Sequence, residues 1–253
     1  MSAEQLSARE KRYYKRQIML SEIGEEGQLK IKRSRVLVIG VGGLGTPILQ
    51  YLSAGGVGHI GIVDNDRVDE SNLQRQILFG VKDLGKLKSI IAKERLARLN
   101  PHTEFEIFNF RLDERNILAL VRDHDLVFDA TDNFATRYLI NDACVQAGKT
   151  WIYGAVYQYE GQVSVFNYKE GPTLRCLYPE PPEPGTYVEA EESGLLGVLP
   201  GMIGCYQATE AFKIIAGFGD VLSGKLLTVN IRTNQVQTHN IPGMAGNKAI
   251  SGL

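Results

Sequence analysis

The chain runs to 253 residues, 43% hydrophobic and 23% charged, with a formal net charge of −1. These proportions suit an ordinary globular protein and supply no basic field for nucleic acid. No apolar run is long enough to span a bilayer, and the polar opening from Met1 to Tyr14 lacks the apolar stretch of a secretory signal, so a cytoplasmic protein with neither nucleic-acid nor membrane partners is expected.

Val36-Leu37-Val38-Ile39 is β-branched and uninterrupted, which predicts a buried strand. A glycine turn follows, then a helix from about Thr46 to Ala54, stopped by Gly55-Gly56. His59 to Val63 reads as the second strand and ends at Asp64. Apolar residues at 87, 90, 91, 96, 97 and 99 give helical spacing over Lys86–Leu99, closed by Asn100-Pro101. Phe105 and Ile107, with Phe110 at the margin, suggest a strand, and a helix is expected from Asp113 or Glu114 through Val121. Leu126-Val127-Phe128 is another buried strand, ending at Asp129, and Asn133 to Ala147 reads as a helix ended by Gly148. Alternating strands and helices predict a doubly wound, mostly parallel sheet with helices on both faces.

The second half reads differently. Trp151–Tyr153 and Gln162–Phe166 suggest strands joined by a turn at Glu160-Gly161. Gly171 to Glu192, rich in Pro, Glu and Gly, is expected to be a long surface loop. Helical spacing returns over Met202–Ile215 and stops at Gly217; Leu226–Ile231 and Val236–Ile241 suggest a closing hairpin, which extends the parallel sheet with antiparallel strands.

Gly40-Val41-Gly42-Gly43-Leu44-Gly45 fits G-x-G-x-x-G between a strand and a helix. Missing side chains let backbone approach phosphate oxygens, and the helix N-terminus favours negative charge. Asp64, at the end of the next strand, is placed to accept hydrogen bonds from ribose hydroxyls. These features fit a nicotinamide dehydrogenase as well as an ATP enzyme. The block from Asp64 to Gln76, which includes Asp66, Asn72 and Arg75, adds acids, amides and an arginine, and Lys86 and Lys88 follow. A lone Arg75 would read as a surface ion pair; beside Lys88 it reads as a second cation for a polyphosphate. Asp129-Ala130-Thr131-Asp132-Asn133 lies at the carboxyl end of the strand after that. Asp132 is the candidate Mg²⁺ ligand, the competing reading being the cap of the helix that begins near Asn133; Asp129 reads as structural.

With these motifs in view, the chain resembles the ThiF/MoeB/HesA adenylyltransferases, bacterial relatives of the ubiquitin-activating enzymes, from Arg12 to about Ile241. The carrying motifs are Arg16-Gln17-Ile18, Gly40 to Gly45, Asp64 to Gln76, Asp129 to Asn133, Arg175-Cys176-Leu177-Tyr178-Pro179 and the Gly201-to-Gly217 helix. Thr46-Pro47, Ile77-Leu78-Phe79 and Ala135-Thr136-Arg137 lean to the ThiF branch, and Glu160-Gly161-Gln162-Val163 to MoeB. The resemblance implies a Rossmann-like adenylation domain over 1–242, with a nucleotide-binding half at about 30–150, a carrier-binding half at 151–242 and a flexible tail at 243–253. It implies ATP and Mg²⁺ as cofactors and adenylation of the C-terminal glycine of a ubiquitin-like sulfur carrier (ThiS- or MoaD-like) ending in Gly-Gly, for thiamine or molybdopterin synthesis. Asp64 would hold the ribose, Arg75 and Lys88 the phosphates, and Asp132 Mg²⁺, while Asn72 positions phosphate. Gly40, Gly42, Gly43, Leu44, Gly45, Asp66, Gln76 and Asn133 complete the expected nucleotide contacts. Arg16 would reach the ATP site of the second subunit of a homodimer.

The sequence departs from the family in its cysteines. Where many relatives carry two Cys-x-x-Cys pairs for zinc, only Cys176 remains, with Thr173 at the paired position, so no zinc is expected. The sulfur-handling cysteine of the ThiF branch aligns with Tyr187, which implies an external sulfur donor, and Cys144 and Cys205 read as core residues in helices. The acidic stretch from Glu180 to Glu192 either passes over the carrier tail or is a solvated charge run. Two other readings stay open: a non-catalytic module that binds a ubiquitin-like protein, and an NAD-dependent oxidoreductase.

Overall fold

The computed structural model describes residues 5–183 and 194–243. Among these, strands β1 (Arg35–Ile39), β2 (His59–Val63), β3 (Glu104–Phe108), β4 (Leu126–Asp129), β5 (Thr150–Tyr157), β6 (Glu160–Phe166), β7 (Lys225–Asn230) and β8 (Gln235–Asn240) form one sheet in the order β3-β2-β1-β4-β5-β6-β7-β8. The five strands from β3 to β5 pair in parallel, and β5 to β8 pair antiparallel. Helices α1 (Ala8–Tyr13), α2 (Lys15–Ile18), α3 (Gly24–Arg33), α4 (Gly45–Ala54), α5 (Lys88–Leu99), α6 (Ile117–Arg122), α7 (Phe134–Ala147), α8 (Leu174–Leu177) and α9 (Val198–Ala216) complete the described elements.

β1 explains the layering. Successive side chains leave a strand on opposite faces. Val36 and Val38 enter a core with Ile31, Ile48, Leu52, Ile91, Leu96 and Ile203, from α3, α4, α5 and α9. Leu37 and Ile39 enter the other, with Ile117, Val121, Ile140, Cys144 and Trp151, largely from α6 and α7. Covered on both faces, the strand needs apolar residues at every position, each contributing about 1.5–3 kcal/mol of transfer free energy. From β1 the chain passes to β2 and β3 on one side, then crosses to β4 on the other. The loops after β1 and β4 therefore part at a topological switch point, the usual ligand crevice of open α/β sheets.

The structure corrects several expected boundaries. β5 continues to Tyr157, so the turn falls at Gln158-Tyr159 rather than at Glu160-Gly161. Gly161 lies inside β6 because α9 packs on it: a Cβ there would sit 2.3 Å from Ile203 Cδ1. The expected loop from Gly171 contains the short helix α8, whose Leu174 N–H is accepted by Asn141 Oδ1 at 2.9 Å. α9 starts at Val198, four residues before the expected Met202, because Pro200 occupies its first turn, where no N–H partner is needed. α5 begins at Lys88, leaving Lys86 in the preceding loop, and Phe110 falls outside β3. α6 begins at Ile117, since Asp113 and Asn116 bond each other's segment and delay the helix. The end of the acidic loop and most of the tail lie outside the described residues.

At the opposite, amino-terminal end of the strands, His59 and His124 face each other with ring centroids 5.8 Å apart. His124 Nδ1 lies 2.7 Å from Leu120 O, and its Nε2 stacks over Gly61, where a Cβ would be 2.6 Å away. Burial, then nearby Arg35, lowers the pKa of His59, with Glu106 and Glu104 opposing; burial also dominates at His124, opposed first by the hydrogen bond to the Leu120 carbonyl and then by Glu106 and Asp123. A histidine whose folded pKa is depressed contributes stability above the unfolded value and loses it as pH falls. Urea midpoints are therefore expected to fall as pH drops below 6.5, the ordinary histidine value, and His124→Gln should flatten that decline. An unchanged slope in the variant would contradict the assignment.

Candidate nucleotide site

The glycine turn is folded against the loop after β4. Gly40 has φ of 98°, open only to glycine without strain, and a Cβ there would lie 2.5 Å from Ala130 O. A Cβ on Gly45 would lie 2.0 Å from Gly40 O. Gly42 differs, since a Cβ would meet only Gln76 Nε2, at 3.9 Å. Its face is open, as an approaching phosphate requires. Gly43 lies between Pro200 and the Arg75 side chain. The Leu44 side chain is in the core, so only its backbone can serve a nucleotide.

Asp64 is tied to this turn. Its Oδ2 accepts from Val41 N–H at 2.7 Å and its Oδ1 from Asp66 N–H at 2.8 Å. Burial raises its pKa, opposed by these two backbone donors and by Lys88. Each oxygen keeps acceptor capacity for a hydroxyl. Lys88 is a buried cation whose Nζ lies 3.1 Å from Asp66 Oδ2, so Asp66 anchors Lys88. Beyond the 3₁₀ turn Glu70–Asn72, the Asn72 carbonyl accepts from Gln76 N–H at 2.9 Å. Gln76 is buried, and its Oε1 has no partner among the described residues. Arg75 donates from Nη1 to Ser71 O at 3.0 Å and has no carboxylate partner among the described residues, so the expected alternative of a surface ion pair does not form there.

The loop after β4 supplies the acid. Asn133, not Asp132, caps α7: its Oδ1 accepts from Thr136 N–H at 2.9 Å. Asp132 is exposed and makes no hydrogen bond or ion pair among the described residues. A free carboxylate beside an open glycine turn has the chemistry to hold a hard cation. Asp129 is fully buried and paired with Arg137 at 2.9 Å. Arg137 and Gln207, whose Nε2 donates to Asp129 O at 2.8 Å, are polar groups of this region that sequence reasoning did not place there.

Arg16 is elsewhere. Its neighbour Gln17 donates to Gly55 O at 3.1 Å, at the far end of ten-residue α4, roughly 15 Å from the glycine turn at 1.5 Å per residue. It is exposed and unpaired among the described residues.

The ThiF family model matches residues 14–248. The chain belongs to the ThiF family. It is 48% identical to the sulfur carrier protein adenylyltransferase of Thermus thermophilus over 219 residues, 85% of this chain and 81% of that protein. It is 46% identical to the probable adenylyltransferase/sulfurtransferase MoeZ of Mycobacterium tuberculosis over 230 residues, and 48% identical to the probable molybdopterin-synthase adenylyltransferase of Porphyra purpurea over 221. The match spans 58% of the length of each of those two. In fold, the chain is similar to the crystal structure of E. coli MccB with MccA-N7isoASN: TM-score 0.83, 19% identity, covering 98% of this chain and 76% of that one.

Burial raises the thiol pKa of Cys144 far above the ordinary range and that of Cys205 to a lesser extent, which disfavours the reactive thiolate. Cys176 is buried, with Thr173 Oγ1 3.7 Å from its sulfur. Tyr187 lies outside the described residues. Among the described residues no group of three or more His, Cys, Asp or Glu is arranged to hold a metal, and no helix is long and apolar enough to cross a membrane.

Proposed function

We propose that the chain is an ATP-dependent adenylyltransferase that activates the C-terminal glycine of a ubiquitin-like sulfur-carrier protein. The observation that carries the reading is the pair of uncompensated charges, Arg75 and Asp132, flanking an open glycine cradle whose ribose-side acid, Asp64, is already oriented. The names of the matched relatives support the same chemistry.

A carboxylate oxygen of the carrier attacks the α-phosphorus of ATP, the bond to the β-phosphate bridging oxygen breaks, and pyrophosphate leaves with that electron pair. The product is an acyl adenylate. Asp64 orients the ribose through hydroxyl hydrogen bonds. The open face of Gly42 and the N-terminus of α4 receive phosphate, and Arg75 and Lys88 offset charge gathering on the leaving group. Asp132 would hold Mg²⁺, which when bound would supply further positive charge against the triphosphate. With Tyr187 at the position of the sulfur-handling cysteine, sulfur delivery falls to an external donor. The carrier belongs to thiamine, molybdopterin or a related sulfur pathway.

Exchange of labelled pyrophosphate into ATP is expected to require both Mg²⁺ and a carrier ending in Gly-Gly. Tight NADH binding without ATP binding would instead support an oxidoreductase, and carrier binding without ATP a non-catalytic module.

The distance of Arg16 from its own glycine turn supports a homodimer in which it serves the partner's ATP site. Mixing inactive Arg16→Ala with inactive Arg75→Ala protein is then expected to restore exchange, because mixed dimers contain one intact composite site. No recovery after subunit exchange would argue against that arrangement.

A further inference from the structure

Asp132 sits on a short loop whose two ends are fixed by hydrogen bonds within the protein. At one end, Asp129 Oδ2 accepts from Arg137 Nε at 2.9 Å, and Oδ1 accepts from the Thr131 N–H and hydroxyl at 2.9 and 2.6 Å. Arg137 Nη2 reaches Thr131 O at 3.4 Å, so the same guanidinium holds both residues. That guanidinium lies over the Phe134 and Tyr153 rings, 5.5 and 5.0 Å from their centroids. Gln207 holds the Asp129 carbonyl from the opposite face, and it fits there because residue 154 is glycine: a Cβ would fall 2.3 Å from Gln207 Oε1. At the other end, Asn133 is fixed as the cap of α7.

A buried ion pair gives little net stability compared with packed apolar residues. What this one provides is a loop with its ends immobilised and one carboxylate left free. We infer that Arg137, acting through Asp129, is a positioning residue that holds Asp132 for the metal ion of bound Mg-ATP; the inference rests on the adenylation reading above.

Metal binding can be read without turnover by titrating Mn²⁺ into the full chain with a non-hydrolysable ATP analogue and following free Mn²⁺ by electron paramagnetic resonance. Arg137→Lys keeps the charge and loses the planar fork. It is expected to weaken Mn²⁺ binding about tenfold or more, as loss of a group that orients a ligand does. Metal-free binding of the analogue should stay at the wild-type value. The double variant Asp129→Asn/Arg137→Gln removes both buried charges together, which avoids stranding one of them, and should show the same loss. A purely structural pair would lower the melting temperature of these variants and leave Mn²⁺ affinity at the wild-type value, and that result overturns the inference. Asp132→Asn separates the two levels. If it leaves Mn²⁺ affinity unchanged, the metal assignment itself fails. If it weakens Mn²⁺ while both Arg137 variants bind normally, only the positioning role fails.

Discussion

Arg75→Ala and Asp132→Ala are each expected to slow carrier-dependent pyrophosphate exchange by about 10²–10³-fold, the usual cost of deleting one preorganised electrostatic group. Both should melt with the wild-type protein. Arg75 gives up one hydrogen bond to a backbone carbonyl, and Asp132 gives up none, so neither change meets the conditions for strong destabilisation. The combination of normal folding with lost exchange is the informative result. Exchange at the wild-type rate in the double variant would remove both residues from the mechanism.

The second large effect separates two glycines of one turn. Gly45→Ala places a methyl 2.0 Å from Gly40 O, and that oxygen belongs to backbone already locked against Ala130. The expected cost is at the upper end of overpacking penalties, about 3 kcal/mol, or roughly 6–12 °C in melting temperature for a chain of this size. Gly42→Ala has nothing nearer than Gln76 Nε2 at 3.9 Å and should melt normally. Its methyl would instead occupy the face left for phosphate, weakening ATP by about tenfold or more. Calorimetric titration of ATP, paired with a thermal melt, checks both. Wild-type ATP affinity in Gly42→Ala would show that the turn is a packing device only.

These glycines also show why much of the molecule could be read in advance. β1, β2 and β4 are buried on both faces, so each needs an apolar run, and such runs stand out in sequence. The glycine turn, Asp64 and the Asp129–Asn133 loop follow directly at the strand ends, where the fold puts ligands. Other elements give weaker signals. α1 is polar along its length and is marked only by its capping box, in which Ser7 Oγ accepts from Glu10 N–H and Glu10 Oε2 from Ser7 N–H. The start of α9 is masked by Gly197, Pro200 and Gly201, residues that usually end helices. Gly154 and Gly161 look like breaks in strands, yet they are where α9 comes closest to the sheet. Gln207 and Arg137 were hidden for a related reason: a polar residue within a helical stripe says nothing about its partner until the tertiary contact is known. Asp132 illustrates the opposite case. Whether it caps α7 turned on a single hydrogen bond, and Asn133 makes that bond, which leaves the Asp132 carboxylate without a structural role in the helix start.

The most direct test of the adenylation reading is the chemistry of the product. Incubated with ATP, Mg²⁺ and a carrier ending in Gly-Gly, the protein should release pyrophosphate and yield carrier heavier by one adenylyl group on its terminal carboxylate, labile to hydroxylamine. Release of ADP and phosphate, or an adenylyl group on a side chain with the carboxylate free, would contradict it.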